Sequence, residues 1–280
     1  MAWKIVADSG TDIIPDYAGT PQYTVVPLII TTGVQEYIDN GSLPTKDLIA
    51  RMAASEDGTK TSCPPPQWFM DTFGGDEDVF VITLSSELSG SYNSAMQAKA
   101  MYLEEHPKKK IHIFNSRSAS AGQSAVVHRV FALCASGLSF DEVVAAADKY
   151  IARLTTLFVL ENLDNLRKNG RLNHIQAIIT GTLHIKLVME GTPAGTIDKV
   201  GQALNINTAL SKMADQIAMR ASKVGTEGRT LFISHCNCED RAIYMRNLLY
   251  KKTSFRSAII CRTRGLSTVY ASDGGIVVAF

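Results

Sequence analysis

The sequence predicts an α/β protein with a layered N-terminal domain, built on a mainly parallel sheet, and a smaller C-terminal α+β domain. Over roughly the first 155 residues, apolar runs without strict polar alternation alternate with amphipathic helical stretches. Such runs are typical of parallel strands that are covered on both faces. Beyond that point the order changes to strand, hairpin, helix, strand, helix and strand. We therefore expect one domain at residues 1–154 and a second at residues 155–280.

The N-terminal elements are defined by β-rich runs and by signals that end helices. Strands are expected at residues 4–8, 24–30, 79–84 and 111–114. A helix at residues 94–105 ends before Pro107, and a helix at residues 121–135 ends at Gly137. Ser139 is suited to begin a third helix at residues 141–154, because serine side chains accept hydrogen bonds from the free N–H groups of a first turn.

The C-terminal elements begin with a strand at residues 156–160. A polar stretch at 161–173 follows, and then a short apolar helical run that ends at Ile179. Gly191 and Gly195 bound a hairpin turn between strands at 185–189 and 196–200. The later elements are a helix at 207–222, a strand at 230–234, a helix at 240–251, and strands at 257–261 and 275–279.

Composition and charge argue against several classes of protein. The 280 residues include 28 Lys+Arg and 27 Asp+Glu, a net charge of +1, so no surface for nucleic acid is expected. The hydrophobic fraction of 45% and charged fraction of 20% are those of a globular chain rather than a disordered, collagen-like or coiled-coil one. No segment has the run of about 18 apolar residues that a membrane-spanning helix needs.

Cysteine usage and the first residues of the sequence predict a cytoplasmic location. The five cysteines are an odd number and are scattered, which favours reduced thiols over a disulfide framework. Residues 1–8 show no basic region followed by an apolar run, so a signal peptide is not expected there.

No metal or cofactor is predicted. His235, Cys236 and Cys238 lie close together, but a zinc site usually needs four ligands and no second pair stands nearby in sequence. The Gly-x-Ser-x-Gly, phosphate-loop and Gly-x-Gly-x-x-Gly motifs are absent, which weakens hydrolase, nucleotide-binding and dehydrogenase interpretations.

Two loops concentrate hydroxyl side chains and tight turns, and they are the candidate binding segments. Residues 60–66 combine hydroxyls with three prolines, and residues 84–94 join an apolar strand to a helix. Ligands of open α/β sheets bind beyond the carboxyl ends of strands, where a helix N-terminus offers free N–H groups to an anion. Ser89, Gly90 and Ser91 would then face a carboxylate or phosphate. The alternative is that these serines only cap the helix.

A third Ser-rich turn, at residues 115–120, opens the next predicted helix and carries Arg117. This arginine is interpreted either as a clamp on the ligand or as one half of an ion pair between the domains.

These loops carry a resemblance that extends over nearly the whole chain. The motifs, in order, are Val-Ala-Asp-Ser-Gly-Thr-Asp at residues 6–12, Val-Pro-Leu at 26–28, Lys-Thr-Ser at 60–62, Leu-Ser-Ser-Glu-Leu-Ser-Gly-Ser-Tyr at 84–92, Ser-Arg-Ser-Ala-Ser at 116–120 and Leu-Asp-Asn-Leu-Arg-Lys-Asn-Gly-Arg at 163–171. The chain thereby resembles the DegV family of bacterial fatty-acid-binding proteins, which includes the fatty-acid-binding subunit of fatty acid kinase.

The resemblance implies that the protein binds the carboxylate of a long-chain fatty acid and encloses its acyl tail. The pair of hydroxyl residues found in the family corresponds to Thr61 and Ser62 here. The second binding loop of the family corresponds to Ser89 with Gly90. Arg171 matches a residue near the head group or on the surface that faces a kinase subunit. Tyr270 stands where relatives commonly have histidine, and a phenol cannot become cationic at neutral pH. This departure bears on the kinase step more than on fatty-acid binding.

Other functions stay open at this point. The leading hypothesis is a carrier that performs no chemistry and inserts in no membrane. Its rival is an enzyme, either an acyl hydrolase that uses Ser89 or Ser62 or a phosphotransfer protein. An enzyme would need a base within hydrogen-bond reach of its nucleophile, and no histidine lies in either loop. A third hypothesis is a binding module for another small anion.

Overall fold

The computed structural model of the chain describes residues 2–17, 19–55, 58–172, 185–226 and 228–280. The short helical run expected to end at Ile179 lies outside these ranges.

Strands and helices are interspersed through both halves of the chain. The N-terminal half contains β1 (Trp3–Asp8), a 3-10 turn (Pro15–Tyr17), β2 (Tyr23–Val26), β3 (Ile29–Thr32), β4 (Gln35–Ile38), α1 (Thr45–Ala54), β5 (Thr59–Ser62), α2 (Pro66–Met70), β6 (Asp78–Thr83), α3 (Ser91–Glu105), β7 (Ile111–Asn115), α4 (Ala121–Ala135) and α5 (Phe140–Ile151). The C-terminal half contains β8 (Thr156–Val159), α6 (Asp164–Lys168), β9 (Lys186–Gly191), β10 (Ile197–Ala203), α7 (Ile206–Val224), β11 (Thr230–His235), α8 (Glu239–Lys252), β12 (Ser257–Arg262), α9 (Gly265–Ala271) and β13 (Ile276–Ala279).

The N-terminal half is built on a parallel sheet, as the sequence predicts. Its strand order is β2-β1-β6-β7, and every pairing in it is parallel. The central strand β6 is buried along most of its length, from Val79 to Thr83. Strands covered on both faces explain the continuous apolar runs in the sequence.

One predicted strand is wrong in its extent. The run expected at residues 24–30 is divided into β2 and β3, which belong to different sheets. Pro27, which lacks a backbone N–H for a sheet ladder, stands at the division. The chain leaves the parallel sheet there and enters a three-stranded antiparallel sheet of order β4-β3-β5.

The C-terminal half is built on a mixed sheet of order β10-β9-β8-β13-β11-β12. The predicted hairpin is present as the antiparallel pair of β9 and β10. Among the described strands of this sheet, β11 and β12 pair in parallel and the other pairings are antiparallel. These features confirm the α/β class.

Helix α4 connects the two halves. It contacts β1 and β6 of the parallel sheet on one side and β11 and β13 of the mixed sheet on the other. One apolar cluster accordingly contains Phe80, Val126, Phe158 and Phe232, all buried. The apolar core therefore runs across the boundary between residues 154 and 155, and the division into domains there stays a prediction.

Candidate functional site

A cavity of about 400 Å³ is lined by residues from both halves of the chain, a volume within the usual range for small-molecule sites. Much of its wall is apolar. The aliphatic and aromatic side chains that line it include Leu28, Leu84, Leu88, Phe158, Leu160, Leu166, Ile197, Leu266 and Val277. Among the described lining residues the only charged side chains belong to two arginines, and none is His, Asp, Glu or Lys.

The structure brings together seven of the eight predicted site residues in this cavity. The lining includes Thr61, Ser62, Ser89, Gly90, Arg117, Arg171 and Tyr270. They come from segments far apart in sequence: the end of β5, the loop before α3, the turn after β7, the segment after α6, and α9. Ser91 is the exception, since it is not among the lining residues.

Several hydroxyl groups on one part of the cavity wall have a proton that they can donate to a ligand. The Oγ of Ser89 accepts the backbone N–H of Ser91 at 3.2 Å, which leaves the Ser89 proton free to donate. Thr61 Oγ1 and the Tyr270 hydroxyl lie 2.8 Å apart. A single proton makes that bond, so the other of this pair remains free. The backbone N–H of Gly90 has no acceptor among the described residues.

Arg171 lies against the same group of hydroxyls. Its Nε donates to the carbonyl of Leu88 at 3.1 Å, and its guanidinium lies 5.9 Å from the centre of the Tyr270 ring. A second donation runs from Nη1 to the carbonyl of Asn169 at 2.5 Å. These contacts fix the guanidinium and leave its other N–H groups available for a carboxylate.

Ser91 supports the loop instead of lining the cavity. Its hydroxyl is buried and donates to the Asp8 carboxylate at 2.5 Å. Asp8 also accepts the backbone N–H of Leu84 at 2.8 Å and the amide group of Gln123 at 2.8 Å. It therefore holds the two ends of the segment that carries Ser89 and Gly90. Burial raises the pKa of Asp8, and these donors oppose the rise.

Asp8 and Gln123 were not identified as site residues from the sequence, although Asp8 belongs to the first motif of the resemblance. A carboxylate at the end of an apolar strand can have many roles. The fold is needed to show that Asp8 binds the backbone N–H of Leu84, which is 76 residues further along the chain.

Arg117 lies in a strained turn. Arg117 and Ser120 both have positive φ, 50° and 55°, in the region that side chains other than glycine rarely adopt. Ser120 is held there because its N–H donates to Gly10 and its hydroxyl donates to Asp12 at 2.5 Å. The Arg117 side chain is exposed and forms no ion pair with any described residue, so the interpretation as an ion pair between domains finds no acidic partner there.

The hydroxyls beside this turn offer fewer free protons. The Ser120 proton is donated to Asp12, and a single proton joins Ser118 Oγ and Thr156 Oγ1, which lie 2.9 Å apart. Hydroxyl and backbone N–H donors are therefore richer near Ser89 and Thr61, beside Arg171, than near the turn, where the main free donor among the described residues is Arg117. This asymmetry gives the cavity one end suited to an anion.

The described residues offer no metal site and no membrane span. Among them, no three His, Cys, Asp or Glu side chains are grouped as metal ligands would be. Their helices include none that is both long and apolar enough to cross a bilayer.

The fold and the cavity define an α/β ligand-binding protein that surrounds its ligand with both halves of the chain. A family model described as "Uncharacterised protein, DegV family" matches residues 2–280. A DegV domain-containing protein of Streptococcus gordonii is 36% identical, and the match covers 100% of this chain and 99% of the relative. The chain belongs to the DegV family.

Solved structures of the family agree with this assignment. A DegV family protein from Ruminococcus gnavus, determined with vaccenic acid, is 42% identical with a TM-score of 0.96, and the match covers 100% of both chains. The fatty acid kinase B3 protein of Streptococcus pneumoniae, loaded with linoleic acid, is 33% identical with a TM-score of 0.89. That match covers 100% of this chain and 99% of the other.

Proposed function

We propose that this protein binds one long-chain fatty acid in the cavity, as a carrier. The carboxylate would lie against Ser62, Ser89 and the Gly90 amide, with Thr61, Tyr270 and Arg171 completing its surroundings. The tail would lie along the apolar wall. Family membership supports the ligand class, because the Ruminococcus gnavus and Streptococcus pneumoniae relatives were determined with fatty acids.

The observation that carries the proposal is the uneven distribution of free donors around one largely apolar cavity. A carboxylate in an apolar site needs several donors, since the alternative is protonation or exclusion. Charge-assisted hydrogen bonds contribute about 1.5–3 kcal/mol each. The tail needs only apolar surface, at about 0.8 kcal/mol per buried CH₂. The head group therefore sets the orientation of the ligand, and the tail supplies most of the affinity.

Native mass spectrometry of protein purified from cells tests this proposal. We expect the protein to carry one acyl chain, released by organic solvent and identified by its mass. Stripped protein should take up palmitate or oleate. No fatty acid in the extract, together with no uptake of either probe, would contradict the proposal.

We further propose that the protein leaves its ligand chemically unchanged. The two candidate nucleophiles, Ser62 and Ser89, form no hydrogen bond with a His, Asp, Glu or Lys side chain of the described residues, and a serine without a base is a donor rather than a nucleophile. Purified protein incubated with acyl esters, acyl-CoA, or ATP plus fatty acid should form no product by mass spectrometry. Turnover that disappears in Ser89→Ala would instead support the enzyme hypothesis.

The partner and the location belong to the same proposal. The likeness to the fatty acid kinase B3 protein favours a fatty acid kinase subunit as the acceptor of the carried ligand. All five cysteines are free thiols, which agrees with a cytoplasmic location. Titration of loaded protein with the catalytic subunit of a bacterial fatty acid kinase should give a saturable complex. Absence of any complex would remove the partner from the proposal and leave the ligand in place.

A further inference from the structure

A second cavity, of about 520 Å³, lies at the other end of α4 and shares no lining residue with the first. Ser120, which precedes α4, belongs to the fatty-acid cavity, whereas His128, Arg129 and Ala132 from the later turns of α4 line the second one. At about 1.5 Å per residue, Arg129 lies roughly 12 Å along the helix from Ala121, its first residue.

The second cavity concentrates positive charge. Arg129, Lys149, Arg153 and Arg229 all line it, and no described lining residue is acidic. None of these four side chains forms an ion pair or a hydrogen bond with another described residue. The whole chain has a net charge of only +1, so this concentration is local. Like charges brought together without partners cost stability, and a bound anion removes that cost.

Helix dipoles account for only part of this charge. Lys149 lies in the last turn of α5 and Arg153 follows that helix, where a cation complements the free carbonyl groups. Arg129 is six residues before the end of α4, and Arg229 precedes strand β11. Those two arginines have no such structural role, and they face the same cavity as the other two.

Aromatic and small side chains complete the wall. His128, Tyr150 and Phe232 line the cavity together with Ala132 and Ala146. The His128 ring lies 5.8 Å from the Tyr17 ring and 5.3 Å from the Phe232 ring. Its Nδ1 lies 2.7 Å from the Tyr17 hydroxyl. Burial raises the pKa of Tyr17 to about 12 and lowers the pKa of His128, so the bond joins a neutral phenol and a neutral imidazole. The wall thus adds a neutral imidazole and aromatic ring faces to the four cations.

We propose that this cavity binds a small molecule that carries at least two phosphate groups on an aromatic or apolar moiety, such as a nucleoside diphosphate. The cations would bind the phosphates, and the aromatic and alanine side chains would contact the remainder. Recognition here uses side chains, so it requires no phosphate-loop motif. The proposal goes beyond fatty-acid binding and is independent of it.

Isothermal titration of the full-length protein at low salt tests the proposal, with ADP, ATP and pyrophosphate as probes. Saturable binding of ADP and ATP is expected, with pyrophosphate weaker because it lacks the aromatic moiety. Arg153→Ala/Arg229→Ala should weaken ADP binding at least tenfold, since each charge-assisted bond is worth about 1.5 kcal/mol or more. The matched control is Lys46→Ala/Lys108→Ala, which removes the same charge from two exposed positions outside both cavities and should leave binding unchanged.

Two outcomes would overturn the proposal. The first is no saturable binding of any probe at millimolar concentration, or binding that both double variants weaken equally. The second is binding of vesicles that contain phosphatidylglycerol, lost in Arg153→Ala/Arg229→Ala, without binding of the soluble probes. That result would assign the phosphate recognition to a lipid surface. Acyl content measured on the same preparations keeps the result separate from the fatty-acid proposal, and circular dichroism establishes that each variant is folded.

Discussion

Ser89 and Ser91, two positions apart at the start of α3, have different roles. Ser89 lines the cavity and its hydroxyl proton has no acceptor among the described residues, whereas the Ser91 proton is donated to the buried Asp8 carboxylate. Substitution should therefore separate binding from stability.

We expect Ser89→Ala to weaken fatty-acid affinity by about 1–3 kcal/mol, or roughly 5- to 150-fold, with little change in stability. Ser91→Ala should instead reduce the free energy of unfolding by about 1–3 kcal/mol, because Asp8 loses a buried donor. Fatty-acid titration and urea denaturation of both variants give the two quantities. Unchanged affinity in Ser62→Ala/Ser89→Ala would place the head group elsewhere.

His235 gives a prediction about pH. Burial lowers its pKa, and its Nδ1 accepts the backbone N–H of Cys238 at 3.2 Å. Below about pH 6.5 the unfolded chain takes up a proton at this position, while the folded protein resists protonation until the pH falls below its lowered pKa. The free energy of unfolding should therefore fall on acidification through this window.

The test compares native protein with His235→Asn, whose side-chain oxygen can still accept a hydrogen bond. Denaturation at pH 7.5 and at pH 5.5 should show a larger loss for native protein than for the variant. His106→Asn, at an exposed position after α3, is the control and should retain the native pH dependence. The buried carboxylates of Asp8, Asp12 and Asp39 titrate in every variant, so their contribution cancels in the comparison. Equal pH dependence in native protein and His235→Asn would contradict the prediction.

Helix α4 contains a glycine at which helix propensity and side-chain packing favour different residues. Gly122 lies in its first turn, and alanine there would favour the helix by about 1 kcal/mol. A Cβ at this position would overlap Ser118 Oγ and lie 2.5 Å from Thr156 Oγ1. Overpacking costs about 1–3 kcal/mol, which exceeds the gain in helix propensity. The net change in the free energy of unfolding is therefore expected to be a loss.

Gly122→Ala should therefore destabilise the protein despite its better helix propensity. The measurement is the free energy of unfolding in a double-mutant cycle with Ser118→Ala. Removal of the Ser118 hydroxyl should cost less in the Gly122→Ala background than in native protein, because it relieves part of the overlap. Additive effects of the two substitutions would show that the helix accommodates the methyl group without this contact.

The elements also show what the sequence could and could not predict. The predicted bounds of α4 are those observed, and the hairpin at Gly191–Gly195 is present, because helix ends and turns depend on neighbouring residues. Strands β4 and β5 were not predicted, since they are short and largely polar and depend on pairing with β3. Helix α9 was missed as well. Its first N–H groups are satisfied by Asp39, more than 200 residues away.

In the candidate site, too, features that depend on neighbouring residues were predictable and features that depend on distant residues were not. Six of the seven predicted residues that line the cavity lie in motifs of the resemblance, which can be identified without the fold because they extend over several residues each; Tyr270 lies outside these motifs. Ser91 was expected to face the ligand because sequence spacing does not reveal whether a hydroxyl points into a cavity or into the core. Its role depends on Asp8, which is 83 residues away.

For the whole molecule, ligand and core stabilise the same arrangement. The apolar cluster passes from one sheet to the other through α4, and the fatty-acid cavity is lined by both halves. A ligand bound there adds contacts to both halves, and the unfolded chain has no such cavity. Occupancy should therefore appear as stability of the entire protein rather than of one loop.

We expect removal of the fatty acid to lower the melting temperature, and titration with oleate to restore it. A ligand that binds only the folded state stabilises it by about 2.7 kcal/mol at a free concentration 100 times its Kd, and the gain grows with the logarithm of concentration. Calorimetry of stripped protein across an oleate series measures this slope. Ser62→Ala/Ser89→Ala provides the control, because weaker head-group binding should displace its curve to higher oleate concentrations without changing the melting temperature of the stripped protein. A melting temperature that does not change with oleate in native protein would mean that the cavity is not the fatty-acid site.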